Sequence, residues 1–435
     1  MCRRAGRLPG VTTTRDPARS HSPPLDLPAL RRRTSAVLIA SQVLGGLGVA
    51  IGIALASVLA EDITGSEALS GLAQTAAVAG TAAVSLPLAA LMSARGRRPG
   101  LSLAYLIGAA GGGLVVLGAV IDSFPLLLLG MAAFGAGSAA NLQARFAAAD
   151  LAPVDQRARA ISTVVWATTI GAVLGPNIAA PAGRSVQRFG IPEAAGPFLW
   201  AAVVFLLCAV LVTVLLRPDP LLTARALAPE EEQRPRGRSL RAGLEAVTAS
   251  PSARLALVTV SASHTAMVAI MVMTPVDLAH HGAGIELIGL VISGHVAGMY
   301  AFSPLMGRLC DRVGRLPVIG LAVALLCAAA LVAGTAGGSH LRTGVGLFLL
   351  GLGWSAGLVA GSALLIDSVP QAARAAVQGL SDLTMNTAAG LGGAAAGLVV
   401  AQAGYGWLNA LGALLLLPVV VLALKSARRS DTASP

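Results

Sequence analysis

Asp150-Leu151-Ala152-Pro153-Val154-Asp155-Gln156-Arg157 and Asp367-Ser368-Val369-Pro370-Gln371-Ala372-Ala373-Arg374 follow one pattern, 217 residues apart (150 to 367). In each, an Asp closes an apolar run, a Pro follows three residues on, and an Arg follows seven residues on. A second echo lies upstream of each. Gly96, Arg97 and Pro99 answer to Gly314, Arg315 and Pro317, at an offset of 218 (96 to 314). Two echoes at nearly one spacing make the chain a duplication, in which each copy is one structural unit.

The units themselves are apolar. Of 435 residues 55% are hydrophobic and 12% charged, and the mean hydropathy is +0.77. An ordinary soluble domain is about a quarter charged, and no soluble core has room for this much apolar surface. The apolar runs are roughly 20 residues long, the length that crosses about 30 Å of hydrocarbon at 1.5 Å per residue. They fall near 36–60, 69–92, 101–121, 124–148, 160–182, 197–216, 254–276, 285–306, 316–336, 343–366, 377–402 and 406–424, six in each copy. The 51 glycines fit, since small residues let membrane helices approach closely.

Between the copies, residues 217–252 are polar, with Glu230-Glu231-Glu232 and Arg234-Pro235-Arg236. This stretch reads as a linker in which Ser239 to Thr248 can form a surface helix. Residues 1–35 and 426–435 read as basic, disordered tails. The predicted layout is therefore a tail, a six-helix bundle over 36–216, the linker, a second bundle over 253–425, and a tail.

The net charge of +11 does not point to nucleic acid, because the arginines sit in short clusters between the runs. Arg95, Arg97, Arg98, Arg157, Arg159, Arg308, Arg312, Arg315 and Arg374 fall on one side of the predicted bilayer. Glu61, Asp62, Glu67, Asp122, Asp277 and Glu286 fall on the other. The positive-inside bias puts the linker and both termini in the cytoplasm, in a plasma membrane of bacterial inner-membrane type. Phe198, Trp200, Tyr405 and Trp407 are placed as an interfacial aromatic belt on the outer side.

The loop Gly307-Arg308-Leu309-Cys310-Asp311-Arg312-Val313-Gly314-Arg315 resembles the G-x-L-x-D-R-x-G-R loop of the major facilitator superfamily. That resemblance implies an all-α membrane protein of twelve transmembrane helices in two pseudo-symmetric six-helix bundles. It also implies solute transport by alternating access. Asp311 is then expected to accept from the N-terminal amides of a facing helix, with Arg315 near Asp367 and Arg97 or Arg98 near Asp150. Together with Arg157 and Arg374, these would form a cytoplasmic latch between the halves. The alternative is that the arginines only fix topology. The first-half loop has Ser93-Ala94 where the family has Asp-Arg, so its side of the latch is expected to be the weaker.

Gly171-Ala172-Val173-Leu174-Gly175-Pro176-Asn177-Ile178-Ala179-Ala180 is similar to the G-x-x-x-G-P-x-x-G-G segment of the superfamily's proton antiporters. The resemblance implies a bent helix packed closely across the halves, and it favours export in exchange for protons over uptake. Two departures stand against this: the closing pair is Ala-Ala, and Met131 stands where the antiporter arginine would fall.

Polar groups at membrane depth are costly unless paired or functional. Asn141 and Arg145 share one face of the fourth run, with Gln143 expected to point elsewhere. Asp382 and Asn386 share a face of the eleventh. His264 lies mid-seventh on a stripe with Met267, Met271 and Thr274, His295 lies mid-eighth, and Gln42 adds polarity to the first. One reading gives Asp382, His264 and His295 proton-linked roles, with Arg145 and Asn141 lining the solute path. The other has Arg145 snorkelling, Asp382 capping amides and the histidines satisfying interhelical bonds.

Other classes are disfavoured. Gly353-Trp354-Ser355-Ala356-Gly357 matches a hydrolase string but lies in an apolar helix with no strand before it. Asp277, His280 and His281 lack a fourth metal ligand, and Cys2, Cys208, Cys310 and Cys327 form no ligand or disulfide spacing. With Lys425 the only lysine, no phosphate-binding G-x-x-x-x-G-K-[ST] loop exists. The expectation is a transporter without cofactor or metal, acting as a monomer on a small solute with protons as coupling ion. A sensor or scaffold keeping this fold is the alternative from another class.

Overall fold

The computed structural model describes residues 26–53, 55–65, 67–228 and 240–432. The tail over 1–25 and the linker charges from Glu230 to Arg238 lie outside the described residues. Twelve helical stretches are long and apolar enough to cross a membrane. Without water in the hydrocarbon, each backbone N–H and C=O must be satisfied within its own segment, and a helix does this.

The first half comprises α1 (Leu27–Ile53), the short α2 (Ala56–Thr64), α3 (Glu67–Arg95), α4 (Arg97–Val120), α5 (Phe124–Asp150), α6 (Arg157–Val186) and α7 (Gly196–Leu215). The linker contributes α8 (Pro220–Ala226) and α9 (Leu240–Ala249). The second half runs through α10 (Pro251–His280), α11 (Ile285–Tyr300), α12 (Ser303–Val313), α13 (Arg315–Gly334), α14 (His340–Asp367), α15 (Arg374–Ala403), α16 (Tyr405–Leu414) and α17 (Leu417–Thr432). The eighth span is broken into α11 and α12 where Pro304 removes a backbone donor. The Tyr300 carbonyl left without that donor accepts from the Ser303 hydroxyl at 2.8 Å, which also lies 2.9 Å from Ser162 O of α6 and shares its proton between the two.

Several boundaries differ from the expected ones. Helix α1 starts at Leu27, so residues 27–35 are helical: Arg31 to Arg33 extend the span past the apolar run, and a helix can leave the bilayer without ending. In the same way α17 carries the twelfth span on to Thr432. The aromatic belt is half right. Trp200 and Trp407 are exposed, while Phe198 is fully buried against Phe134 in an edge-on contact at 5.6 Å. Tyr405 is buried and shares a 2.7 Å hydrogen bond with Thr274. Both were placed by depth alone, and depth does not say whether a ring faces lipid or a neighbouring helix.

Each half has its own apolar core. One joins Val37 through Leu216, and the other centres on Leu255 through Val419. The second core also takes in Phe146, Ala149, Ala158, Ile161 and Val165 of the first half. Those residues lie where α5 ends and α6 begins, beside the linker. The halves thus pack together at what we call the linker face, through α3 on α15 and α6 on α12.

The duplication shows in how closely those pairs approach. A Cβ on Gly307 of α12 would sit 2.0 Å from Ser162 Oγ of α6, and one on Gly379 of α15 would sit 2.4 Å from the Ala89 Cβ of α3. Inside the first bundle the close contacts are made against backbone. A methyl on Gly111 would meet Phe134 N at 2.3 Å, whereas Gly113, two residues on, has nothing within 4 Å. Gly111→Ala should therefore lower stability by about 1–3 kcal/mol through overpacking. Gly113→Ala should stay within about 0.5 kcal/mol. Denaturation of the purified variants in one detergent, followed by circular dichroism, checks the contrast.

Candidate functional site

The linker-face ends of α3, α4, α5, α14 and α15 bring together a polar network with almost no access to solvent. Arg97, the first residue of α4, reaches Asp150, the last of α5, with two bonds: Nε to Oδ2 at 2.7 Å and Nη2 to Oδ1 at 3.2 Å. Of the two candidates for Asp150 it is Arg97 that pairs. Arg98 contributes its backbone N–H, which donates to Asp219 Oδ2 of the linker at 2.8 Å.

From Arg97 the network crosses the halves. Its Nη2 donates to Gln378 Oε1 of α15 at 2.6 Å and its Nη1 to Gln143 Oε1 of α5 at 3.2 Å. Gln143 then donates from Nε2 to Asp382 Oδ2 at 2.7 Å. Arg145 Nη2 takes the other oxygen, Asp382 Oδ1, at 2.7 Å, and its Nε donates to Ser362 Oγ of α14 at 3.3 Å. Both side chains of this ion pair are at most 2% exposed. The network holds two arginines and two aspartates, so it is neutral, which is the condition for burying charge at membrane depth.

Two expectations are corrected here. Gln143 does not point away from Arg145: their positions are about 200° apart around α5, yet both long side chains reach to the same carboxylate. Arg145 neither snorkels nor lines an open path, since Asp382 of the opposite half neutralises it where it stands. Asn141 turns elsewhere and accepts from the Tyr105 hydroxyl at 2.8 Å. Asn386 returns its Nδ2 to Asp382 O at 2.8 Å, one turn back on its own helix.

A second layer lies nearer the surface. Asp367 receives Arg157 Nη1 of the first half at 2.5 Å and Arg315 Nε of its own half at 3.0 Å. Arg315 Nη2 also crosses to Val154 O at 2.5 Å. Asp311 accepts from the amides of Ala158 (3.2 Å) and Arg159 (2.9 Å), the first turn of α6, where the helix dipole favours a carboxylate. Gly314, with φ of 96°, makes the reversal into α13 that aims Arg315 back. Arg374 is bonded to Ile366 O at 3.2 Å and to Gln371 Oε1. Arg312 is exposed and forms no ion pair among the described residues.

The first-half pair is the deeper one. Arg97 and Asp150 are at most 1% exposed, against 14% and 18% for Arg315 and Asp367. The loss of Asp-Arg at Ser93-Ala94 thus removes the amide cap on that side without weakening the ion pair.

Farther from the linker face, His264 Nδ1 accepts from Trp354 Nε1 at 2.8 Å. His295 is fully buried, with Nδ1 at 2.8 Å from Leu347 O and no partner for Nε2. Gln42 Nε2 ties α1 to Thr168 of α6 at 2.9 Å. Gly171 and Gly175, with Pro176 following, pack on Leu47 and Ala50 of α1. That partner is in the same half, so the expected contact across the halves is not made; α6 meets the second half at its other end, through Ala158 and Ser162.

Sequence reasoning passed over Gln378, Ser362 and Trp354. The signal for Gln378 was present, since it lies one turn before Asp382 on the same face. Ser362 carried one as well: it stands 217 residues after Arg145 (145 to 362), at the equivalent place in the repeat, and Arg145 bonds to it.

A family model described as Major Facilitator Superfamily matches residues 37–277 and 255–435. The "Uncharacterized MFS-type transporter YddS" of Bacillus subtilis is 39% identical over 399 residues, covering 90% of this chain and 91% of that protein. The "Riboflavin transporter RfnT" of Brucella anthropi is 30% identical over 396 residues, covering 90% and 94%. A crystal structure of the transporter FucP superposes with a TM-score of 0.71 at 17% identity, covering 89% of this chain and 97% of that one.

Removing one partner of a buried pair strands the other charge. Arg145→Met should therefore destabilise the closed arrangement by about 3–5 kcal/mol, and Arg145→Met/Asp382→Leu should recover most of that. Unfolding midpoints of the two single variants, the double variant and the parent close the thermodynamic cycle. Additive losses would deny the pair.

Proposed function

The chain belongs to the major facilitator superfamily, and on that premise we propose that it is a proton-coupled secondary transporter in which Asp382 carries the proton. The observation behind this reading is the buried Arg145–Asp382 pair at 2.7 Å, which joins the two halves. The linker face is the cytoplasmic face, and the state described here is the one closed on that side.

The physical argument runs through the charge on Asp382. While ionised, it satisfies Arg145 and Gln143, and the halves stay together. A proton on the carboxyl removes the attraction and leaves the Arg145 guanidinium buried beside a neutral group, which penalises the closed state. Opening the linker face lets water solvate Arg145. Proton binding and opening on that side are then linked, and by reciprocity opening alters the affinity for the proton. His264, bonded to Trp354, is the candidate relay between the opposite face and this pair. Asp367, Arg157, Arg315 and Asp311 act as the outer latch, which must be released in the same movement.

The Gly171 to Pro176 segment supports exchange against protons, and hence export. The 30% identity to a riboflavin transporter along nearly the whole chain makes a flavin the first solute to test. The experiment is flux of riboflavin, alongside a panel of planar aromatic compounds, in proteoliposomes under an imposed pH gradient. Export predicts solute moving against the proton flow, and uptake predicts movement with it. Asp382→Asn should keep solute exchange at equilibrium while losing accumulation driven by the gradient, by about tenfold or more. Gradient-driven accumulation in Asp382→Asn equal to the parent's would remove the carboxylate from the coupling step. A parent that moves no compound would remove the transport reading itself.

A further inference from the structure

At the linker face, away from the network just described, the start of α1 meets the end of α5 and the start of α6 around a hollow of about 210 Å³. Its polar lining consists of Arg31, Thr34, Ser35, Gln156, Arg159 and Thr163, and the remainder is apolar side chain and Pro153. No carboxylate lines it. Asp311 is engaged by the Ala158 and Arg159 amides and by Arg315. Asp155 is exposed and outside the lining, and Asp26 caps the Ala29 amide.

Arg31 is half-buried; Arg159 is exposed, and the nearby Asp311 carboxylate feels its charge without bonding its guanidinium. Among the described residues neither Arg31 nor Arg159 forms a side-chain hydrogen bond or an ion pair. The Arg31 Nε is shut off from solvent with no acceptor. Elsewhere on this face the arginines that turn inward are paired: Arg97 with Asp150, Arg145 with Asp382, Arg157 and Arg315 with Asp367. An open-sided hollow lined by two arginines, one of them with a buried donor lacking an acceptor, by hydroxyl donors and by no acid is complementary to an anion with several oxygens. Guanidinium forks match phosphate geometry bidentately.

We propose that this hollow binds a phosphate-class anion, either the headgroup of an anionic phospholipid or free phosphate. Its volume of about 210 Å³ lies below the roughly 300–1,000 Å³ of pockets that enclose drug-sized molecules. The hollow lies beside the loop 151–156 at the linker-face ends of the spans, which in the orientation proposed above is the headgroup region. On the cytoplasmic side that region carries anionic lipid. Every lining residue belongs to the first half, so occupancy can be measured apart from the Arg145–Asp382 pair.

The test uses the full chain purified in a neutral detergent. Its unfolding midpoint is followed while phosphatidylglycerol, phosphatidylcholine or inorganic phosphate is added. The parent should be stabilised by phosphatidylglycerol or phosphate and not by phosphatidylcholine. The concentration required should rise about tenfold or more in Arg31→Gln/Arg159→Gln and stay unchanged in Arg32→Gln, whose exposed side chain lies outside the lining. A response to phosphatidylglycerol alone identifies a lipid headgroup, and a response to phosphate identifies a free anion; either supports the site. No response in the parent, or an equal one in Arg31→Gln/Arg159→Gln, overturns it. If that double variant does not fold, mass spectrometry of the intact Arg31→Gln complex decides: loss of the retained lipid or phosphate supports the site, and unchanged retention overturns it.

Discussion

A charge cannot be left alone in a membrane, and in this protein the partner that satisfies Arg145 belongs to the other half of the molecule. That constraint orders the linker face. Asp382 supplies the counter-charge, and Gln143 and Ser362 take up the remaining oxygen and the remaining guanidinium donor. Gly307 and Gly379 permit the helix approaches that bring the two sides within reach. A buried ion pair adds little net stability, because desolvation offsets much of the attraction, yet losing one partner is expensive. Such a pair serves to define one arrangement of the halves and to make its loss depend on charge.

The duplication has diverged in how each copy uses the same residues. In the first copy Arg97 and Asp150 are withdrawn from solvent and extended by Gln143 and Gln378 into the midline. In the second, Arg315 and Asp367 remain near the surface and recruit Arg157 from across the interface. Asp311 anchors α6 by its amides, while its counterpart Ser93 has no carboxylate to offer α15. The linker instead binds this loop: Asp219 accepts from Arg98 N, and Arg225 donates to Ser93 O at 2.6 Å. The expectation that contacts on this face lean on the second half, around Asp311, describes the surface layer alone. The second half holds the surface layer, and the first half supplies the depth.

How much of this could be read beforehand depended on whether one segment or two were needed. The pairing of Arg315 with Asp367, and of Arg97 or Arg98 with Asp150, was implied by the resemblance of the 307–315 loop to that of the superfamily, carried to the first copy through the repeat. Asp311 on the amides of a facing helix needs only the dipole. Gln143 was misjudged because spacing along α5 says which side chains are neighbours and not which faces the midline. Phe198 was misjudged because equal depth covers both lipid and core. Gly171 and Gly175 announced a close helix contact without naming α1 as the partner.

By itself the sequence determined twelve spans, the division into two sixes, and which residues are too polar for hydrocarbon. All three follow from local quantities: the length of an apolar run, the spacing of a repeat, the desolvation of a side chain. Only the tertiary structure decided that Arg145 meets Asp382, that Gln378 completes the bond set of Arg97, and that Arg31 and Arg159 line one hollow without a carboxylate in its lining. Those are statements about which helix faces converge. Helix rotation about the axis is set by packing against neighbours, and a linear pattern of residues leaves it free.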